Sequence, residues 1–275
     1  MKRITREVER RSGLTLDEFH AQYLQPEIPV VLTDLATDWP ASEAWSAERL
    51  TARHGDYPIR GYYHPEGLYT AWKRMRVETT LGAIVNSPDP RLFASADLFS
   101  ECPYLIGDLE VPRVLRPEWV EDHATLWIQP RGHRTGLHWD SFNSMITVIG
   151  GRKRVLMFSP DQFERLYPCP VTGSKDFSMG SWSRMDVFDP DYAAFPAARD
   201  AQYHEVSVGP GETLLIPRHY WHAVENLGAP TIAASFFVTP QGKPELTFYH
   251  DRRVIAGLAI KVGVLTGERA SAAAG

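Results

Sequence analysis

His138, Trp139 and Asp140 form a His-x-Asp triplet, and a further histidine, His222, stands far downstream. Side chains two residues apart on a β-strand project to the same face. A strand with Trp139 in its middle would turn the His138 imidazole and the Asp140 carboxylate into one interior, where a second strand could bring His222 alongside. Two imidazoles and one carboxylate hold one face of a divalent metal and leave positions open, the donor set of non-haem Fe(II) centres that work with O2. A bare His-x-Asp triplet arises by chance in many chains of this size, so the weight lies in its surroundings.

O2 activation at Fe(II) requires further electrons, and a 2-oxo acid chelating the metal is a common source. The far carboxylate of such a cosubstrate needs a buried cation. Lys153, on the strand after Gly150-Gly151, shares a face with Val155 and Met157, while Arg152 and Arg154 share the opposite one. A lone cation among apolar neighbours is costly unless an anion joins it. The competing reading is a lysine at a strand edge, where lysine is frequent. Thr135, three residues before His138, and Tyr104 carry hydroxyls that could donate to the same carboxylate. His133, His204 and His219 lack ligand-like spacing and read as structural or surface residues.

Positioning these groups requires a β-rich scaffold, and residues 125–239 supply one. Strand-like runs fall at Thr125 to Ile128, Leu137 to Asp140, Ser144 to Ile149, Arg154 to Phe158, Tyr203 to Val208, Glu212 to Ile216, Ala223 to Asn226 and Thr231 to Val238. Eight runs bounded by turn residues predict a jelly roll, or double-stranded β-helix. Gly150-Gly151 reads as the turn of a hairpin beside the candidate ligands, and His222 ends a polar, aromatic break from Pro217 between apolar strands.

Upstream, Thr15-Leu16-Asp17-Glu18 has the spacing of a capping box before Phe19, Tyr23 and Leu24. Pro29 to Leu32 reads as a buried strand, Trp39-Pro40 as a stop, and Ser46 to Arg53 as a helix capped by Ser46. Ser159-Pro160-Asp161-Gln162 caps another helix, and residues 168–202 read as a long loop. Residues 244–265 read as a final helix or helix pair, with Val254, Ile255, Leu258 and Val262 at helical spacing. The predicted class is mainly β, a jelly roll with flanking N- and C-terminal helices. One domain covers residues 1–240, with a mixed α/β elaboration over 1–124 and the jelly-roll core over 125–240; a helical segment and tail occupy 241–275.

Composition narrows the function classes. At 275 residues and 43% hydrophobic, the chain can bury a substantial core. Its 29 Lys and Arg against 34 Asp and Glu give a net charge of −5, with no electrostatic footprint for nucleic acid or an anionic membrane. Two cysteines, Cys102 and Cys169, argue against a disulfide framework or a cysteine-based zinc site and fit a reducing cytosol. Met1 to Glu7 lacks the apolar stretch of a signal peptide. The run Val254 to Leu265, broken by Lys261, is too short to span a bilayer, so a cytoplasmic location is expected.

A resemblance rests on longer stretches: Thr135 to Asp140 (TGLHWD), Gly151 to Arg154 (GRKR), Phe158 to Pro168 (FSPDQFERLYP), Asp189 to Tyr192 with Phe195-Pro196, and Val208 to Pro217 (VGPGETLLIP) running to Tyr220-Trp221-His222. These resemble the JmjC (cupin-like) 2-oxoglutarate oxygenases, and most of all their asparaginyl hydroxylase branch. Pro29 to Leu32 and Asp38-Trp39-Pro40 are similar to the family's N-terminal region, so the resemblance covers most of residues 15–240. It implies Fe(II) on His138, Asp140 and His222, and 2-oxoglutarate held through its distal carboxylate by Lys153, Thr135 and Tyr104.

The chain departs from that pattern in three places. Ser144 stands where the family often has Asn, with Asn143 one place earlier, and Ser235 stands where the relative has Asn near the cosubstrate. A water or a rotated Asn143 would then replace the shortened side chains. The Arg-Gln pair that holds a target asparagine has no counterpart, since Ser181-Trp182 falls nearby with Arg184 displaced. Asparagine hydroxylation of ankyrin-type proteins therefore does not follow.

The implied reaction is O2-dependent hydroxylation of a C–H bond in a protein, peptide or small molecule, with succinate and CO2 as coproducts. Trp182, Arg184, Tyr220, Trp221 and Phe237 are candidates for the substrate mouth, against the usual packing role of aromatics in a jelly roll. One alternative is N-methyl-lysine demethylation, which lacks a basic patch or attached reader domain to support it. Another is a barrel that binds metal or 2-oxo acid without turnover, which the intact set of His138, Asp140, His222 and Lys153 disfavours. The apolar stripe after Leu246 caps the barrel or joins a homodimer.

Overall fold

The computed structural model describes residues 7–70, 74–169 and 181–239. Its N-terminal part contributes β1 (Glu9–Arg11), β2 (Val30–Leu32), β3 (Pro58–Tyr63), β4 (Leu68–Tyr69), β5 (Met75–Thr80) and β6 (Leu92–Asp97). Then come β7 (Val120–Gln129), β8 (Arg134–His138), β9 (Asn143–Gly150), β10 (Lys153–Phe158), β11 (His204–Val208), β12 (Thr213–Ile216), β13 (Trp221–Asn226) and β14 (Thr231–Val238). Strands β7 to β14 correspond one for one to the eight predicted runs. They form two facing four-stranded layers, β12-β9-β14-β7 and β11-β10-β13-β8, the arrangement of a jelly roll. The N-terminal strands extend these layers: β2 and β1 continue beyond β12, β6, β3 and β5 continue beyond β7, and β4 adds to β8.

Two-residue alternation explains why the layers face as they do. On β7 and β14, Leu126, Ile128, Ile232, Ala234 and Phe236 turn outward into a cluster with Trp45, Leu50, Leu81 and Ile84. Residues Thr125, Trp127, Gln129, Ser235 and Phe237, of the opposite parity, turn inward. Full burial of each large aliphatic side chain stabilises by about 1.5–3 kcal/mol. The cover over the outer face comes from short helices, α1 (Leu16–Phe19), α2 (Pro40–Ala44), α3 (Ala47–His54) and α4 (Leu81–Val85). Thr15 and Glu18 form the expected capping box, and Ser46 caps α3 through the Arg49 N–H. Phe19, Tyr23 and Leu24 pack onto Met145 and Leu215 at the other end of the same sheet.

The interior of the sandwich is half filled. Val148, Val155, Met157, Val206, Val208, Leu214, Ile216 and Val224 close one end as an apolar plug. The other end is a cavity.

Three local expectations need correction. Gly150-Gly151 does not turn a hairpin: β9 pairs with β12 and β14, whereas β10 pairs with β11 and β13, so the chain crosses from one sheet to the other. Gly151 makes this crossing at φ 75°, and a Cβ there would lie 2.7 Å from the Pro230 carbonyl oxygen. Ser159 precedes a 3-10 helix over Pro160–Leu166, but its hydroxyl meets the Asp161 carboxylate rather than a backbone N–H. The strand carrying the first ligand ends at His138, which leaves Trp139 and Asp140 beyond it. The proposed C-terminal helical stripe at 244–265 lies outside the described residues, and no helix among those described is long and apolar enough to cross a membrane.

Candidate metal centre and its cavity

His138, Asp140 and His222 come together: one ligand atom from each lies within 4.8 Å of the others. The sheet explains two of the three. His222 sits inside β13, not in a break before it, and pairs directly with His138 across the ladder. Between the pairs His222–His138 and Val224–Thr135, β8 spans one residue more than β13, which is a β-bulge. On a regular strand Thr135 and His138 would face opposite ways; the extra residue lets both face the cavity. Asp140 follows through the irregular step after β8, with its Oδ2 3.7 Å from His222 Nε2.

Backbone hydrogen bonds prepare both imidazoles for a metal. His138 Nδ1 lies 2.9 Å from the Gly136 carbonyl oxygen, and His222 Nδ1 lies 3.0 Å from that of Tyr220. A carbonyl can only accept, so each Nδ1 carries the hydrogen and each Nε2 presents its lone pair. Burial lowers the His222 pKa, and neighbouring His138 lowers it further, so this imidazole is held neutral as a ligand requires. Trp182 stacks on His138 with ring centroids 4.4 Å apart and planes 12° off parallel. It is placed there because residues 181–183 run beside the end of β8: Trp139 N–H donates to Ser181 O and Ser183 N–H to Leu137 O.

A cavity of about 260 Å³ opens beside these donors and also contains Thr135, Ser144, Lys153, Trp182, Ser235 and Phe237. Lys153 lies on β10 between β11 and β13, so it is not a strand-edge lysine, and it is 3% exposed. Its ammonium donates to Asn226 Oδ1 at 2.9 Å and to Gln129 Oε1, bridging the two sheets through neutral acceptors. Burial pushes its pKa down to about 7. An anion bound here would restore the charged form.

Several predicted contacts fall elsewhere. Tyr104 belongs to a 3-10 helix, Pro103–Asp108, on the outer side of the large sheet, packed on His54 and Tyr57 at 4.7 and 4.5 Å. Asn143 is buried behind the cavity wall, where its amide meets the Arg218 N–H and the Val238 carbonyl. Trp221 has the outward parity of β13 and packs on Phe163, 1% exposed. Arg184 is exposed with its guanidinium over Tyr167, and Tyr220 packs against the apolar plug.

Sequence reasoning missed Ser95, Thr125, Trp127 and Gln129, which line the cavity. For Thr125, Trp127 and Gln129 the signal was present, since they share one parity on β7. Trp127 Nε1 donates to Ser235 Oγ at 2.9 Å, so the serine hydroxyl is already engaged. His133 is structural: it is fully buried, its Nδ1 donates to the Pro90 carbonyl at 2.8 Å, and burial pushes its pKa down to about 3.

Comparison with known proteins agrees with this architecture. Residues 16–243 match the family described as the cupin-like domain. Lysine-specific demethylase 8 of Xenopus tropicalis is 28% identical over 220 residues, 78% of this chain and 48% of that protein. HSPB1-associated protein 1 of Homo sapiens is 34% identical over 235 residues, 76% of this chain and 47% of that protein. JmjC domain-containing protein D of Dictyostelium discoideum is 28% identical over 237 residues, 78% and 52% respectively. The chain thus spans about half the length of the curated relatives it matches. These relatives support the wider family rather than its asparaginyl hydroxylase branch. The fold and the match over residues 16–243 lead to one statement of kinship: the chain belongs to the cupin-like (JmjC) domain family.

Proposed function

We propose that the protein is an Fe(II)- and 2-oxoglutarate-dependent oxygenase that hydroxylates an unactivated C–H bond of a protein, peptide or small-molecule substrate. The observation that carries this reading is the presence of the three-donor cluster and the buried Lys153 in one cavity. His138, Asp140 and His222 would hold the metal. Iron held there would supply oxidising power with O2, and 2-oxoglutarate would supply the electrons as it becomes succinate and CO2. A lysine buried against neutral amides is a poor structural element but a good receptor for a carboxylate, because the pair is stronger where water is excluded. Thr135 shares a wall with Lys153 and offers a hydroxyl to the same carboxylate. The apolar plug behind them keeps that end of the cavity dry. Trp182 and Phe237 line the cavity with apolar surface suited to a substrate group, while Arg184, Tyr220 and Trp221 are left out.

Asparagine hydroxylation is not part of the proposal, since Ser181-Trp182 replaces the Arg-Gln pair and Trp182 is engaged with His138. The relatives named lysine-specific demethylases favour a second reading, N-methyl-lysine demethylation in the same cavity. There, hydroxylation of the methyl carbon ends in loss of formaldehyde. The test is to load the protein with Fe(II) anaerobically, admit O2 with 2-oxoglutarate and a mixture of cell proteins, N-methyl-lysine peptides and small molecules, and follow succinate by mass spectrometry together with +16 products and formaldehyde. Succinate with a +16 product supports hydroxylation, and succinate with formaldehyde supports demethylation. No succinate from metal-loaded protein would leave a non-catalytic binding barrel.

A further inference from the structure

Asp140 is the candidate ligand that the sheet does not hold. β8 ends at His138, and the Asp140 main chain is fixed instead from the facing turn, where the His219 N–H donates to the Asp140 carbonyl at 2.8 Å. The same turn leads directly into β13 and His222. His219 takes φ 63°, a left-handed conformation that histidine adopts more readily than most residues with a Cβ.

Arg218, one residue earlier, is fastened at both ends. Its N–H donates to Asn143 Oδ1 at 3.1 Å, and its guanidinium Nε donates to Glu27 Oε1. Asn143, buried, donates its Nδ2 to the Val238 carbonyl at 3.2 Å. The first residue of β9, the last residue of β14 and the segment after the first helix therefore converge on one turn beside the metal donors.

We propose that Asn143, supported by the Glu27–Arg218 pair, is a positioning residue for the metal site and not a cosubstrate contact. It sets the turn whose N–H holds Asp140 and whose exit aims His222. Its amide is committed to two backbone groups behind the wall, while its neighbour Ser144 lines the cavity. The inference rests on the metal reading of His138, Asp140 and His222.

The experiment titrates metal-free protein with Co(II), read by its ligand-field absorption, and separately measures half-saturating 2-oxoglutarate at saturating metal. Asn143→Leu keeps the volume and removes both hydrogen-bonding functions. It is expected to weaken Co(II) binding roughly 10- to 100-fold, the usual effect of losing a ligand-orienting partner, with 2-oxoglutarate half-saturation within about twofold of wild type. Asn143→Asp retains the acceptor for the Arg218 N–H but loses the donor to the Val238 carbonyl, and is expected to recover part of the loss. Glu27→Gln weakens only the outer anchor and serves if Asn143→Leu does not fold; a several-fold weaker Co(II) affinity is expected.

Metal-free melting curves run alongside. Lowered melting with unchanged Co(II) affinity would show a merely structural Asn143 and overturn the proposal, as would a raised 2-oxoglutarate requirement with unchanged metal binding. Wild-type protein that does not bind Co(II) would instead remove the metal reading itself.

Discussion

Replacing Lys153 with methionine separates the cost of a buried cation from its use. Lys153 is 3% exposed, its ammonium donates to two amide oxygens, and burial moves its pKa from 10.5 to about 7. At about 1.4 kcal/mol per pKa unit, this corresponds to a penalty on the order of 5 kcal/mol for the charged form in the ligand-free protein. The sign follows from proton counting. Between pH about 7 and 10.5 the unfolded chain keeps the lysine proton and the folded chain releases it, so stability rises with pH through that window. Below pH about 7 both states hold the proton and the penalty is complete.

Lys153→Met removes the titration and leaves the Gln129 and Asn226 oxygens short of a donor, a pH-independent cost of about 1–3 kcal/mol each. Urea unfolding of metal-free protein from pH 6 to 9 is the assay. Wild type should gain on Lys153→Met by up to ~1.4 kcal/mol per pH unit above pH ~7. Saturating 2-oxoglutarate should flatten the wild-type slope by keeping the ammonium charged, and leave the variant unchanged. Parallel profiles for the two proteins, or a slope untouched by 2-oxoglutarate, would refute the reasoning.

The remaining expectations follow from individual contacts. Asp140→Ala should abolish metal retention and succinate formation while changing metal-free stability by only about 0.5 kcal/mol, because the carboxylate side chain is 37% exposed; metal titration and urea unfolding check both halves. Trp182→Ala removes the ring stacked on His138 and should weaken metal binding about tenfold, measured by chelator competition. Trp221→Ala should cost about 3–5 kcal/mol of stability, read by urea unfolding, and leave 2-oxoglutarate affinity of the folded protein unchanged, since that ring packs outside the cavity. Gly151→Ala should destabilise by about 1–3 kcal/mol in urea, because φ is 75° and the new Cβ meets Pro230 O.

Much of the core was legible because its strands alternate cleanly. Thr231 to Val238 was read with its true limits, and Lys153 was placed on the face of Val155 and Met157 by parity alone. His138 and Asp140 do come close to His222, but not through strand parity, since β8 ends before Asp140 and a bulge turns His138 inward. Neither feature leaves a mark in a two-residue pattern. The Gly150-Gly151 crossing was misread because a glycine pair announces a turn without saying which sheet receives the next strand. Tyr104 was named for its hydroxyl with no element to position it, whereas a 3-10 helix on the outer face decides its surroundings. The Gln129 contact depends on a sandwich closing over Lys153, which local sequence does not encode.

The crossing at Gly151 divides the chamber between two sheets. It places Lys153 on the small sheet, the same sheet that carries His138, Thr135 and His222, while Trp127, Gln129, Ser144 and Ser235 face them from the large one. His138, His222, Thr135 and Lys153 thus share one wall, and much of the contour of the chamber lies on the other. Substitutions at Trp127, Ser144 or Ser235 of the large sheet can reshape the chamber while the strands that carry the histidines and the lysine stay fixed. A scaffold divided in this way can vary the shape of its chamber while the candidate donors keep their places.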